Sequence, residues 1–425
     1  MVDSERLIHR LTASGYTVRH DSNKVEGEIV IINTCGFIGD AKEESVNTIL
    51  QFVDAKKKKR LKKLFVMGCL SERYLMELQE EIPEVDKFYG KFDWDTLIED
   101  LGKSYQASSS LDRELTTPAH YAYVKISEGC SRTCSYCAIP IITGKHVSRP
   151  IEEIISETRL LVDKGVKEIQ LIAQDLTFYG LDKYGKNKLP ELVEKLSDID
   201  GLDWVRLHYA YPALFPDALL SVMRERDNVC NYLDIAFQHI SDNMLKLMRR
   251  NITKKGTYEL IEKIRENVPN IHLRTTLMVG HPGETKRDFD ELVQFVKDIR
   301  FERLGGFVYS NEEGTYSDIH YQDNVPSEQK QKELEEIMSV QEDIATEISQ
   351  QKIGKTYKVI IDRAEENYYI GRTEFDSPEV DPEVLIEKKH RLKIGNFYPV
   401  QITGNQGFDL FGEIRSNNQP NKTNF

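Results

Sequence analysis

Three thiols on one short segment stand out: Cys130-Ser-Arg-Thr-Cys134-Ser-Tyr-Cys137, a C-x3-C-x2-C run. Three thiolates at this spacing can hold three irons of a [4Fe–4S] cluster and leave the fourth iron open to a substrate or cofactor. A structural zinc site wants four ligands in paired C-x2-C form, and the chain has no second pair. The blander reading is three buried or incidental cysteines. Six cysteines in 425 residues exclude a dense disulfide scaffold. Cys35 and Cys69 each follow a short apolar run and, taken singly, read as structural thiols. Cys230 has no patterned partner and reads as a core or loop thiol.

The elements that must position these thiols follow from periodicity. Residues 1–105 read as a small α/β unit, with a helix over 4–14, a strand over 29–33, a helix over 40–54 and a strand over 64–67. Cys35 and Cys69 then fall at the carboxyl ends of parallel strands, where ligand groups gather. The unit opens on a helix with no strand before it, so a preceding strand is expected outside this sequence. Residues 106–118 are polar and read as a linker. Residues 118–325 repeat a strand-plus-helix unit, with strands expected over 121–126, 168–173, 204–210, 233–237, 272–279 and 304–308. Six such units suggest a partial (β/α)6 barrel with its site at the carboxyl ends of the strands. An open doubly wound sheet has the same periodicity. Residues 326–352 read as a connector helix, 353–416 as a small β-barrel, and 417–425 as a disordered tail. The run Lys56-Lys-Lys-Lys-Arg-Leu-Lys-Lys63 reads as a solvated helix end rather than a nucleic-acid patch.

With these residues in place, the chain resembles the radical S-adenosylmethionine (SAM) enzymes and, within them, the methylthiotransferases. The resemblance rests on Asn33-Thr34-Cys35-Gly36-Phe37, Met67-Gly68-Cys69-Leu70, Glu128-Gly129-Cys130, Leu233-Asp234-Ile235-Ala236-Phe237-Gln238-His239, and the segment from Arg274 through Gly280-His281-Pro282-Gly283-Glu284-Thr285. It covers nearly the whole chain. It implies an α/β N-terminal methylthiotransferase domain, a radical SAM barrel and a C-terminal TRAM β-barrel. It also implies that Cys130, Cys134 and Cys137 bind a [4Fe–4S] cluster whose open iron chelates SAM. Reductive cleavage of SAM then yields a 5'-deoxyadenosyl radical that abstracts a substrate hydrogen. Cys35 and Cys69 match two of the three ligands of an auxiliary [4Fe–4S] cluster. The third belongs just before the segment that begins here as Met1-Val2-Asp3-Ser4-Glu5, so the expectation is a truncated start and poor assembly of that cluster, with an inactive SAM-binding form as one alternative. Tyr136 is expected near the SAM adenine. Glu168, Gln174 and Asp175 are expected near SAM, alongside the reading that they are ordinary strand-end polar residues. Gln238 and His239 close the fourth strand and Arg274 lies in the fifth, where placement favours function.

Composition narrows the partners. The 40% hydrophobic content can fill real cores, and no apolar run approaches the roughly 18 residues that span a bilayer. The charged N-terminus carries no signal-like stretch, so a cytoplasmic protein is expected. With 57 basic and 70 acidic residues the net charge is -13, which favours basic proteins or small molecules over nucleic acid. Residues 353–414 hold eight Lys/Arg and eleven Asp/Glu, a net of -3, and residues 374–383 are acidic with no Lys or Arg. That segment is expected to repel RNA and attract a basic ribosomal protein. The resemblance accordingly favours the RimO type, which modifies the β-carbon of an aspartate in small-subunit ribosomal protein S-twelve, over the MiaB type, which modifies an adenosine in tRNA. It further implies an electron donor such as flavodoxin or ferredoxin.

Overall fold

In this computed structural model, residues 1–22, 27–103 and 111–415 are described. The expected linker falls partly outside them, and the expected disordered tail falls outside them. The chain divides into two compact units. The first takes in residues 1–116, 127–157 and 310–322, and the second residues 117–126, 158–309 and 323–425. The cysteine segment therefore groups with the N-terminal residues rather than with the strands that flank it in sequence.

In the first unit a three-stranded parallel sheet is built from β1 (Ile29–Thr34), β2 (Lys63–Gly68) and β3 (Lys87–Phe88), in that order. β1 and β2 pair in register from Ile29↔Lys63 to Thr34↔Gly68. Cys35 and Cys69 therefore leave the sheet at the same level. Helix Gly39–Lys57 buries Ile49 and Val53 against Leu64 and Val66. Helix Val2–Ala13 buries Leu7 and Leu11 on the other face, beside Phe65 and Met67. β3 was not legible in sequence, because two residues carry no period. The lysine run is a solvated helix end as expected, pairing Lys57 with Glu84, Lys58 with Asp54 and Lys62 with Glu28.

In the second unit six strands form one parallel sheet: β4 (Tyr121–Lys125), β5 (Glu168–Ile172), β6 (Trp204–Ala210), β7 (Val229–Ile235), β8 (His272–Val279) and β9 (Arg303–Val308). Their spatial order is their chain order. A doubly wound sheet reverses its order at a switch point, so the sequential order selects the partial barrel. β7 starts at Val229 rather than 233, because Asn231 interrupts its apolar run while Val229 and Cys230 are buried. Helix Lys286–Ile299 opens with a reciprocal capping box between Thr285 and Asp288, a device worth about 1 kcal/mol. Helix Ser327–Gln350 is more than a connector. Its Gln341 amide donates to the Phe301 carbonyl at 2.9 Å, and a side chain at Gly306 of β9 would strike Leu334 at 2.6 Å.

Five further strands close a small barrel: β10 (Thr356–Ala364), β11 (Tyr368–Thr373), β12 (Val384–Glu387), β13 (Phe397–Gln406) and β14 (Asp409–Ile414). Val359, Ile361, Val384, Val400 and Leu410 fill it. It joins the six-stranded sheet through a buried charge network. Glu168, wholly buried at the amino end of β5, accepts from Arg206 Nε at 2.9 Å and from Arg372 Nη2 of β11 at 2.8 Å. Burial alone would raise the Glu168 carboxyl, but Arg372 and then Arg206 outweigh it and hold it at about 2. Arg372 also binds Asp362, which His120 contacts at 2.8 Å. Cys230 is a core thiol as expected, among Trp204, Tyr232 and Ile360, and burial pushes it up to about 12.

Glu168→Ala would leave two guanidiniums buried without their shared anion. The expected cost is about 3–5 kcal/mol in urea unfolding at pH 7. Because the folded carboxyl titrates below its ordinary 4.5, its contribution in the parent protein is complete above about pH 4.5 and fades as pH falls toward 2. A loss below about 1 kcal/mol would show the network to be dispensable.

Candidate functional site

The cysteine segment begins where the chain leaves β4. Ser127 and Glu128 pair antiparallel with Ser148 and Val147, which ties the two ends of the segment together. Gly129 has φ +78°, and a Cβ there would lie 2.2 Å from the Lys145 carbonyl oxygen, so only glycine fits this turn. Cys130 N–H donates to the Gly144 carbonyl at 3.1 Å, and Arg132 N–H donates to Cys130 Sγ at 3.4 Å. Cys137 N–H donates to the Cys134 carbonyl at 3.3 Å, which closes the second turn. Cys130 is buried, while Cys134, Tyr136 and Cys137 are half-buried. The donor set fits an iron–sulfur cluster with one open iron. Three thiols share an irregular loop, one sulfur already receives an N–H bond, and the loop turns on a glycine cradle that a Cβ would fill.

Cys35 and Cys69 stand together in the first unit. Ser45 Oγ clamps the Cys35 backbone, accepting from its N–H at 3.0 Å and donating to its carbonyl at 3.1 Å. A Cβ at Gly36 would meet the Cys69 backbone at 2.8 Å, and one at Gly68 (φ +107°) would meet the Thr34 carbonyl at 2.5 Å. Two glycines therefore let the two turns touch. Burial raises the Cys69 thiol, Lys91 opposes that, and Cys35, Glu128 and Asp3 add to it. Lys91 itself binds Glu128 at 2.6 Å. Asn33 donates to Ser4 Oγ at 2.9 Å, so the first turn of helix Val2–Ala13 lies at this same end of β1. Lys91 carried no motif and was not legible as a neighbour of these thiols.

In the second unit, the expected SAM-contacting residues divide. Gln174 follows the carboxyl end of β5. Asp175 caps the next turn, its carboxylate accepting from Thr177 N–H at 2.9 Å and from the Thr177 hydroxyl at 2.7 Å. Gln238 is 8% exposed with φ +70°, held there by its N–H on the Thr276 carbonyl and by Met278 N–H on its own carbonyl. Its side-chain Oε1 is buried with no hydrogen-bond partner among the described residues. His239 is wholly buried. Its Nδ1 accepts from Ile240 and Ser241 N–H, so Nε2 carries the proton and donates to Glu284 at 3.1 Å. Glu284 in turn accepts from Gly280 and His281 N–H. This clamp ties the turn after β7 to the turn after β8 and gives His239 a positioning role.

Two expected site residues are elsewhere. Glu168 opens β5 in the buried network, and Arg274, the third residue of β8, is pinned by Asp381 at 2.6 Å. Both stand toward the amino ends of their strands, because their counter-ions come from the small β-barrel's side. Two acids of the acidic segment are held inside the protein. Asp376 pairs with buried Arg303, and Asp381 with Arg274. Burial raises the Asp376 carboxyl, but Arg303 and Lys352 hold it well below the usual range, and burial draws the Lys352 ammonium down to about 8. These acids are consumed inside the protein and offer no surface to a basic partner. Lys388, Lys389, His390, Arg391 and Lys393, between β12 and β13, are by contrast exposed.

The sequence matches the models for the radical SAM superfamily over residues 124–296, the TRAM domain over 353–414, and the uncharacterized protein family UPF0004 over 1–90. Proteins named ribosomal protein uS12 methylthiotransferase RimO are similar across nearly the full length. That of Parabacteroides distasonis is 63% identical over 414 residues, covering 97% of this chain and 96% of its own. Those of Bacteroides fragilis and Porphyromonas gingivalis are 65% and 64% identical with the same coverage. Among solved structures, the radical SAM methyltransferase TsrM of Kitasatospora setae shares the fold, with a TM-score of 0.54 at 13% identity over 86% of this chain and 76% of its own.

The glycine geometry sets a test. Gly129→Ala is expected to lower the iron taken up on anaerobic reconstitution by about four per chain, and Gly36→Ala to lower it without loss from the Cys130 loop. Full iron and sulfide content in both variants would remove the proposed reason for glycine at these turns.

Proposed function

The chain belongs to the radical SAM methylthiotransferases; from that premise we propose that it adds a methylthio group to the β-carbon of an aspartate in small-subunit ribosomal protein uS12, with one SAM as methyl source and a second as radical source. The observation that carries this is 63–65% identity over 97% of the chain to relatives bearing that name. The same relatives support a protein substrate over a tRNA adenosine.

The target carbon has no useful pKa, so general acid–base groups cannot activate it. A cluster bound at the thiol loop would supply one-electron reducing chemistry toward SAM and so open a radical route. Cys130, Cys134 and Cys137 would hold that cluster, with the 127–148 pairing and Gly129 fixing their loop. Gln238 would offer its orphaned amide oxygen to a hydroxyl or amino group of SAM, oriented by the His239–Glu284 clamp. Tyr136 would stand by the adenine of a cofactor held at its own thiol loop, and Gln174 is a candidate cofactor contact beyond β5. Glu168, Asp175 and Arg274 are left to hold the fold. Cys35 and Cys69 would supply two ligands of a second [4Fe–4S] cluster, with Lys91 offsetting its negative charge. Flavodoxin or ferredoxin is the fitting electron donor. No described helix is long and apolar enough to cross a membrane, and a ribosomal substrate supports a cytoplasmic enzyme.

Reduced protein incubated with SAM, inorganic sulfide as sulfur source and uS12 is expected to form 5'-deoxyadenosine and to add one methylthio group to a single aspartate, read by peptide mass spectrometry. Cys134→Ala is expected to abolish both. Equal SAM cleavage by the variant would overturn the role of the loop, and modification of tRNA in place of uS12 would overturn the substrate.

A further inference from the structure

The short helix Cys69–Arg73, which opens on one thiol, is tied twice to the Cys130 loop, and every part of both ties lies in the first unit. The first tie runs through Glu72. Its carboxylate accepts from Lys91 N–H at 2.9 Å, and Lys91 Nζ donates to Glu128 Oε1 at 2.6 Å. Glu128 lies two residues before Cys130 and pairs with Val147 where the loop closes.

The second tie runs through Arg73 and is buried. Arg73 Nη1 donates to the Gly36 carbonyl at 3.3 Å, beside Cys35, and to Glu312 Oε2 at 3.1 Å. Its Nη2 donates to the Glu313 carbonyl at 2.6 Å. Lys42 Nζ brings a second cation to Glu312 at 2.8 Å, and Ser310 Oγ donates to the other carboxylate oxygen at 3.1 Å. The Arg73 and Glu312 side chains are only 5% and 4% exposed. Beyond Glu312 the chain forms helix Tyr316–His320, capped by Thr315, and Ser317 N–H donates to the Ser135 carbonyl at 2.7 Å. Ser135 stands between Cys134 and Cys137. Residues 310–322 are therefore a strap that grips the Cys35 and Cys69 turns at one end and the Cys134–Cys137 turn at the other.

A buried ion pair adds little net stability, so stability does not account for one in this strap. What the pair imposes is position, because any other arrangement leaves a buried charge uncompensated. Chemistry shared between two sites depends on position, since a misplacement of about 1 Å can cost about 100-fold in rate. We propose that Arg73 and Glu312 are positioning residues for methylthio transfer. Together with the Lys91–Glu128 pair, they set the separation between the Cys35–Cys69 turns and the Cys130 loop. The inference rests on the second cluster of the reading above and deepens it.

The test uses the full chain after anaerobic reconstitution. Glu312→Ala is expected to keep the parent's iron content but to spread the spin–spin interaction between the two reduced clusters, read by pulsed EPR. Methylthiolated uS12 formed per 5'-deoxyadenosine is expected to fall about 10- to 100-fold. Glu312→Gln still offers Arg73 an acceptor and is expected to recover most of that ratio. Should Glu312→Ala fail to fold, the double variant Arg73→Met, Glu312→Met removes both buried charges together, and it is expected to show the same spread and the same fall. A parent-like interaction and ratio overturns the positioning role, and so does loss of iron from the variants, which would show a tie needed only for assembly. About eight irons per parent chain with no interaction between the clusters also overturns it. About four irons per parent chain removes the second cluster itself, and the inference then falls with that reading.

Discussion

One carboxylate shared by two guanidiniums governs the second unit. Glu168, Arg206 and Arg372 are all wholly buried, and none could remain charged there alone. Each must be satisfied by the others, so β5, β6 and β11 hold fixed positions. Asp362 and His120 extend the network, and Arg303–Asp376 and Arg274–Asp381 repeat its logic along β8 and β9. Buried pairs of this kind add little net stability compared with a well-packed apolar core. What they impose is register: a misplaced β-barrel would leave several charges unpaired.

That constraint decides which groups are available for chemistry. Asp376 and Asp381, which look like part of a solvated surface, become internal counter-ions. An arginine and a glutamate that look like cofactor ligands become structural ions. The carboxyl-end turns are organised instead by hydrogen bonds from backbone N–H groups, a hydroxyl and His239 to the Glu284 and Asp175 carboxylates. The His239–Glu284 clamp, with its tautomer set by two backbone N–H donors, holds the turn that carries Gln238. The orphaned Gln238 oxygen is thus preorganised, and a ligand that reaches it removes a standing desolvation penalty.

Backbone conformation does comparable work around the thiols. Gly36, Gly68 and Gly129 each occupy a position where a Cβ would strike backbone. The cysteines supply donors, and the glycines bring the donor-bearing turns into contact.

Much was readable from residues alone. The C-x3-C-x2-C spacing specifies its donor set locally, and apolar periodicity specifies helices and strands locally, so the thiol loop, six parallel strands and terminal β-barrel were all legible within a few residues. Cys230 was legible as a core thiol for the same reason. Strand order was not, since a partial barrel and a doubly wound sheet share one period, and only pairing of β4 through β9 in chain order separates them. Nor were the fates of Glu168, Arg274, Asp376 and Asp381. A charge in sequence has no sign of whether its partner is water or an arginine some two hundred residues away, as Arg372 is for Glu168. Sequence determined which chemistry the chain can attempt, because ligand spacing is a local property. Tertiary structure decided which charged and polar groups remain free to take part, because burial and long-range pairing exist only once the chain is folded.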